Sequence, residues 1–262
     1  MELNRKNVEK LAVRIFEDRK EMGEAAAIDA AKKINAVIAE KGEANIIFAA
    51  APSQDDLLDS LLKQDIDWSK VRGFHQDEYV GIAEDEPACF GNFLRRAIFD
   101  QVAFKELHYL LCDKEDAEKK CEEYAELLEK YPADLIFLGV GENGHLAFND
   151  PAVCDFDDPK MLKIVELDDI CRQQQVNDGC FVRIDDVPKR AITMTMSAIM
   201  NVAQAICVVP TVRKANAIYH ALCGEVTSSC PASILRNHEN AVLYLDKDSA
   251  SKLEADYVLE HG

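Results

Sequence analysis

Very little in this sequence points to a membrane, to secretion or to nucleic acid. No apolar run approaches the roughly 18 residues needed to span a bilayer, and the opening Met1-Glu2-Leu3-Asn4-Arg5-Lys6 lacks the apolar core of a signal peptide. Cations are scarce: 30 Lys and Arg stand against 48 Asp and Glu, a formal net charge of −18. Neither a nucleic acid nor an anionic membrane surface is expected as partner, since both demand basic patches. Nine cysteines, an odd number, are scattered with no paired metal-ligand spacing among them or the histidines. They predict free thiols, a reducing cytoplasmic location and no metal. Linkers, repeats and low-complexity segments are missing too, so residues 1–262 are expected to form a single domain.

What is present is an ordinary globular balance, 48% hydrophobic and 30% charged, on a chain long enough to bury a full core. Residues 1–20 place Val8, Leu11, Ala12, Ile15 and Phe16 at helical spacing, which predicts an amphipathic helix. A second, alanine-rich helix is predicted over 23–41, with Gly42 as its stop. Apolar runs at 45–51, 71–76, 107–111, 134–138, 162–166, 190–196, 205–209 and 241–245 read as strands. Helical patterns over 54–63, 88–102, 113–130 and 212–223 alternate with them. Strands separated by helices imply crossovers, and hence a doubly wound, mainly parallel α/β sheet of modified Rossmann-like type.

The chain is organised around Leu138-Gly139-Val140-Gly141-Glu142-Asn143-Gly144-His145-Leu146-Ala147-Phe148-Asn149-Asp150-Pro151. A strand running into a glycine-rich polar loop is where open α/β sheets place their ligands. The loop carries one imidazole, two carboxylates and two amides, a mixture suited to proton transfer. A tight turn whose polar groups cap one another is the competing reading. The glycines are not read as a dinucleotide fingerprint.

This loop resembles the signature of the glucosamine-6-phosphate deaminase (isomerase) family, in the superfamily that includes 6-phosphogluconolactonase. A second block, Phe74-His75-Gln76-Asp77-Glu78-Tyr79-Val80-Gly81, resembles the family's other hallmark, and the similarity runs from about Ile46 to about Asp248 in consistent order. The resemblance implies the fold given above, a phosphorylated amino sugar as partner, no cofactor, and a homo-oligomer. It implies conversion of glucosamine 6-phosphate to fructose 6-phosphate and ammonia. A galactosamine-6-phosphate isomerase, a 6-phosphogluconolactonase-like hydrolase and a non-catalytic sugar-phosphate sensor are the alternatives.

By the same resemblance His145 opens the sugar ring and Asp77 carries the proton at C2. Asp150 stands where the family has a glutamate that orients the histidine, and Asn143 where it usually has an aspartate. Glu78 is expected to be structural, and Glu142 to compensate in part for the uncharged Asn143. The family's phosphate loop is glycine- and threonine-rich; here Ala49-Ala50-Ala51-Pro52-Ser53-Gln54 stands in its place. Ala51 and Ser53 are expected to bind phosphate there through backbone N–H groups, the hydroxyl and a helix N-terminus, with Ser53 as a plain helix N-cap as the alternative. Gly144, Lys214 and Arg172 complete the expected contacts. Arg172 opens an unusual run, Arg172-Gln173-Gln174-Gln175-Val176-Asn177-Asp178, that marks a subfamily with its own sugar contacts.

Overall fold

A computed structural model describes residues 1–253. In chain order its elements are β1 (Glu2–Val8), β2 (Leu11–Phe16), α1 (Arg19–Lys41), β3 (Ala44–Phe48), α2 (Asp55–Leu61), β4 (Val71–His75), β5 (Asp77–Tyr79), α3 (Phe90–Leu94) and β6 (Glu106–His108). They continue with α4 (Ala117–Lys130), β7 (Leu135–Leu138), β8 (Leu162–Glu166), α5 (Asp169–Asn177), β9 (Arg190–Met194), α6 (Met196–Met200), β10 (Ala205–Val209), α7 (Ala215–Cys223) and β11 (Ala241–Asp246).

Eight strands form one sheet in the order β1-β2-β11-β10-β7-β3-β4-β6, parallel throughout except for the β1–β2 hairpin. The expected mainly parallel α/β fold is therefore present. The central strands β3, β7 and β10 are buried along their whole length, as continuous apolar runs covered on both faces must be. From β3 the chain builds outward to β4 and β6, then returns to β7 beside β3 and builds the other way. The carboxyl ends of β3 and β7 thus flank the topological switch point, where such sheets open a crevice.

The predicted N-terminal helix is instead the β1–β2 hairpin. Leu11, Val13 and Ile15 are buried while Ala12 and Arg14 are half-buried, a period of two. The same apolar residues also satisfy a 3.6 period, and the long-range pairing of β2 with β11 decides between them. Glu9 turns the hairpin in a left-handed conformation, φ +54°.

The strands at 162–166 and 190–196 also leave the expected plan. As β8 and β9 they join β5 in a separate three-stranded antiparallel sheet, β5-β9-β8. Residues 77–79 form a short strand because they pair with Thr193, Ile192 and Ala191. Helix α1 packs closely on α2 because Gly23 leaves room: a Cβ there would stand 2.7 Å from the backbone of Asp56. Among the described residues no helix is long and apolar enough to cross a membrane.

Candidate active site

A cleft of about 440 Å³ opens at the switch point, within the range of small-molecule sites. Its walls come from the loops after β3, β4, β7 and β10, from the α5 segment, and from the region around Phe90. Asp77, His145, Ala51, Ser53 and Lys214, all singled out in the sequence, line this one cleft.

Asp77 reaches it because β4 ends at His75 and the chain crosses to the small sheet through Gln76, whose N–H donates to Phe48 O and whose carbonyl accepts from Met194 N. The Asp77 carboxyl is buried, and its side chain makes no hydrogen bond or ion pair among the described residues. Burial, and secondarily the neighbouring Glu78, push its pKa well above the usual carboxylate value. Glu78 itself accepts from the N–H groups of Tyr79, Phe90 and Gly91 and from the Cys89 thiol. It is the structural group the sequence led us to expect, tying β5 to the start of α3. His75, two residues before Asp77, is buried and held neutral, its pKa lowered to about 3 by desolvation and then by Lys120. Its Nδ1 accepts the Leu110 N–H, which places the ring proton on Nε2.

His145 sits at the end of the glycine turn. Its Nδ1 lies 2.8 Å from Oδ1 of Asp150, although the N–H is not well aligned on that oxygen. Asn143 closes the arrangement: its Nδ2 donates to the same Asp150 oxygen at 2.8 Å, and its Oδ1 accepts from the His145 backbone N–H at 3.1 Å. Asn143 and Asp150 stand behind the imidazole and do not line the cleft. An amide at 143 thus does steric and hydrogen-bonding duty without a charge. Asp150 is itself buried, and the partners that outweigh that desolvation, His145 first and then Asn143, hold its pKa below the ordinary value. Glu142 points away from the histidine, toward Arg213 at 3.9 Å, so the compensation expected of it is absent.

Gly144 does not line the cleft either. It has φ +86°, and a Cβ there would stand 2.8 Å from Cys230 Sγ, so its part is backbone geometry. Gly139, Gly141 and Gly144 do stand at G-x-G-x-x-G spacing. Yet no helix follows the turn, and the next element is β8. The helix N-terminus that a dinucleotide pyrophosphate needs is therefore not formed there.

On the far wall, Lys214 is buried at 7% exposure and makes no hydrogen bond or ion pair among the described residues. Desolvation lowers its pKa, opposed by Asp178 and Glu142. Ala51 caps a short helical turn with Pro52 in its first position, so Ser53 lies inside that turn and is not the N-cap. Thr211, beside Lys214, adopts φ +81° and donates its N–H to both oxygens of Asp246.

Arg172 is placed elsewhere. Its guanidinium donates to Ile184 O at 2.6 Å and Val187 O at 3.3 Å and pairs with Asp169. It fastens the 184–187 segment to α5 and does not line the cleft, because one turn of helix aims it the other way from its neighbours. Those neighbours, Gln174 and Gln175, do line it, as do Gln76, Arg19, Arg96, Asp178 and Arg213. The signal for α5 was the spacing Cys171, Gln174, Gln175 and Asp178, one helical face. Arg19 is tied to Asp56 and Pro52 O, and Arg213 to Asp178 and Asn177 O. Arg96 is exposed and reaches Pro87 O, so among the described residues lining the cleft Lys214 is the buried cation without a partner. Among the described residues one group of three potential metal ligands gathers, His145, Asp150 and Cys171, with the ligand atoms within 4.8 Å. Burial and Asp150 push the Cys171 thiol far up.

A profile of the family described as glucosamine-6-phosphate isomerases/6-phosphogluconolactonase matches residues 17–154. The chain is 36% identical over 213 residues, 81% of this chain and 89% of the relative, to glucosamine-6-phosphate deaminase of Listeria monocytogenes serotype 4a. The chain belongs to this family. It is 32% identical over 230 residues to the Bacillus cereus (strain B4264) glucosamine-6-phosphate deaminase, covering 88% of this chain and 86% of that one. The family's fold recurs in a monomeric glucosamine-6-phosphate deaminase, TM-score 0.82 at 24% identity over 91% of this chain and 98% of that one. It recurs also in a Shewanella baltica 6-phosphogluconolactonase, TM-score 0.74 at 18% identity, with coverage of 92% and 100%.

Proposed function

We propose that this chain catalyses the deaminating isomerisation of a hexosamine 6-phosphate, glucosamine 6-phosphate to fructose 6-phosphate and ammonia. The observation that carries the reading is the placement of the desolvated Asp77 carboxyl and the His145 imidazole on the walls of one sugar-sized cleft. The buried, unpaired Lys214 on a further wall supports it. The curated relatives at 32–36% identity are named for the same conversion.

In this reading the phosphate is held by Lys214 and the N–H groups of the 51–53 turn. His145, backed by Asp150 and Asn143, moves the proton that opens the ring. Asp77 then takes the C2 proton of the open-chain aldehyde as the C1 oxygen gains a proton, giving an enolamine, and returns its proton to C1 while the nitrogen gives one up. The resulting C2 imine adds water and releases ammonia, leaving the ketone. Desolvation suits Asp77 to both halves of that transfer, because a carboxyl with raised pKa gives back the proton it has taken. The single domain expected of the chain is supported by the described residues, in which loops of both sheets build the cleft. All nine cysteines are free, in keeping with a reducing, cytoplasmic setting. The homo-oligomer expected from the resemblance stays part of the proposal, and sedimentation of the full chain tests it.

The test is ammonia and ketose release from a panel of 6-phosphorylated amino sugars, with 6-phosphogluconolactone alongside. Turnover of an amino sugar, lost in Asp77→Asn, is the expected outcome. Lactone hydrolysis that survives Asp77→Asn, with no ammonia from any amino sugar, overturns it.

A further inference from the structure

Helix α5 presents a polar face where a packed helix ordinarily presents an apolar one. Cys171, Gln174, Gln175 and Asp178 fall at i, i+3, i+4 and i+7, and Cys171, Gln174 and Gln175 are all buried. Three of the four have a visible task. Cys171 lies against Asp150. The Gln174 Oε1 accepts the Glu142 N–H at 2.9 Å, pinning α5 to the glycine turn, and Asp178 pairs with Arg213 at 3.0 Å. Gln175 has none: it is 8% exposed, lines the cleft, and its amide makes no hydrogen bond among the described residues.

A second glutamine shares the condition. Gln76, immediately before Asp77, is 2% exposed, lines the same cleft, and its Nε2 is buried without a partner. A buried amide left unsatisfied costs folding free energy, and native proteins rarely keep one without use. Two amides without a protein partner among the described residues, Gln76 with its Nε2 walled in and Gln175 with its amide open to the cleft, mark positions where the missing partner is a ligand. Their chemistry narrows it. A neutral carboxamide both donates and accepts and adds little for a phosphate, which Lys214 is better suited to hold. It fits hydroxyl groups, which also donate and accept.

We propose that Gln76 and Gln175 are specificity-determining residues that read the hydroxyls of the substrate between its reacting end and its phosphate. The inference rests on the sugar-phosphate reading given above. With C1 and C2 at Asp77 and His145 and the phosphate at Lys214, the stretch between carries the hydroxyls at C3 and C4. Their configuration is what distinguishes one hexosamine phosphate from another. A site built to hydrogen-bond a hydroxyl discriminates far more sharply than an apolar wall of the same shape, because the wrong epimer leaves the buried amide unpaired.

The experiment compares Gln76→Met, Gln175→Met and the parent protein on glucosamine 6-phosphate and its C4 epimer, galactosamine 6-phosphate, with kcat and KM resolved and Tm measured without ligand. Each substitution is expected to lower kcat/KM on the preferred epimer roughly 10–100-fold and the other epimer less, so that the ratio between them contracts. The ligand-free Tm should hold in Gln175→Met and hold or rise in Gln76→Met, where an unsatisfied buried Nε2 has been removed. A structural role would instead lower Tm and slow both epimers alike, and that result, or an unchanged ratio, overturns the proposal. If the parent turns over neither sugar, the functional reading fails first. The thermal shift given by each of the two sugar phosphates then decides the role of the glutamines: a shift difference between epimers that persists undiminished in both variants rejects it.

Discussion

Gly141 and His145 occupy space that admits only a glycine at the first position: a Cβ on Gly141 would stand 2.2 Å from Cε1 of the imidazole and 2.3 Å from Nε2. The backbone reinforces the approach, with Gly141 N–H donating to His145 O at 2.9 Å. The ring therefore approaches bare backbone with its Nε2 side, while Nδ1 is turned to Asp150. Gly141→Ala must displace the imidazole, since the three nearest atoms the new Cβ would meet all belong to that ring. We expect turnover of closed-ring sugar to fall at least about 100-fold, in line with misplacement of an acid–base group by about an ångström. Phosphate affinity, held at the other wall, should stay within a few-fold. Equal losses of both, measured by steady-state kinetics and phosphate titration, would contradict this.

Asp77 is where function and stability pull apart. Its folded pKa is raised, so above the ordinary value of 3.8 the unfolded chain releases a proton that the folded chain keeps. Its contribution to stability is accordingly whole below pH 3.8 and declines as pH rises toward the folded value. Asp77→Asn removes that loss. It should abolish isomerisation and yet raise Tm at pH 7–8 by roughly 2–4 °C for each kcal/mol recovered. The gain should vanish near pH 4. Calorimetry across that range checks the sign, and a variant less stable at pH 8 than at pH 4 relative to the parent would refute it.

Lys214 should behave in parallel with opposite charge. Its folded pKa is lowered by burial, so the cost of the desolvated ammonium is present at neutral pH and is relieved as pH rises toward 10.5. Lys214→Met is expected to raise the ligand-free Tm at pH 7 while raising KM for sugar phosphate by about 100-fold, the loss of a charge-assisted contact. Inorganic phosphate, which stabilises the parent by mass action, should no longer shift the variant's Tm.

Glu78 offers a test of the electrostatics at Asp77. Replacing it by Gln leaves three backbone N–H groups facing an amide that accepts less well, at a cost of about 1–3 kcal/mol. It also deletes the negative charge that helps raise Asp77. The acid limb of the kcat profile should therefore move to lower pH even as Tm falls. An acid limb that stays in place would show desolvation alone sets Asp77.

Much of this was legible in the sequence. The alternation of apolar runs with helical patterns carries the parallel α/β sheet, because burial on both faces requires strands that are apolar end to end. The glycine turn and the Asp77-Glu78-Tyr79 block pointed to His145 and Asp77, which line one cleft, since strong turn chemistry and clustered titratable groups are local signals. Ala51, Ser53 and Lys214 fell where the pattern put them. The hairpin at residues 2–16 did not, because Val8, Leu11, Ile15 and Phe16 satisfy both a helical and a strand period, and only the pairing of β2 with β11 selects one. Arg172 was placed on the cleft when a rotation along α5 gives that wall to Gln174 and Gln175. Sequence determined the class of fold and which polar groups were candidates for the cleft. The tertiary structure decided which are brought face to face and which are turned away, because burial, partner geometry and helix phase arise from contacts between residues far apart in the chain.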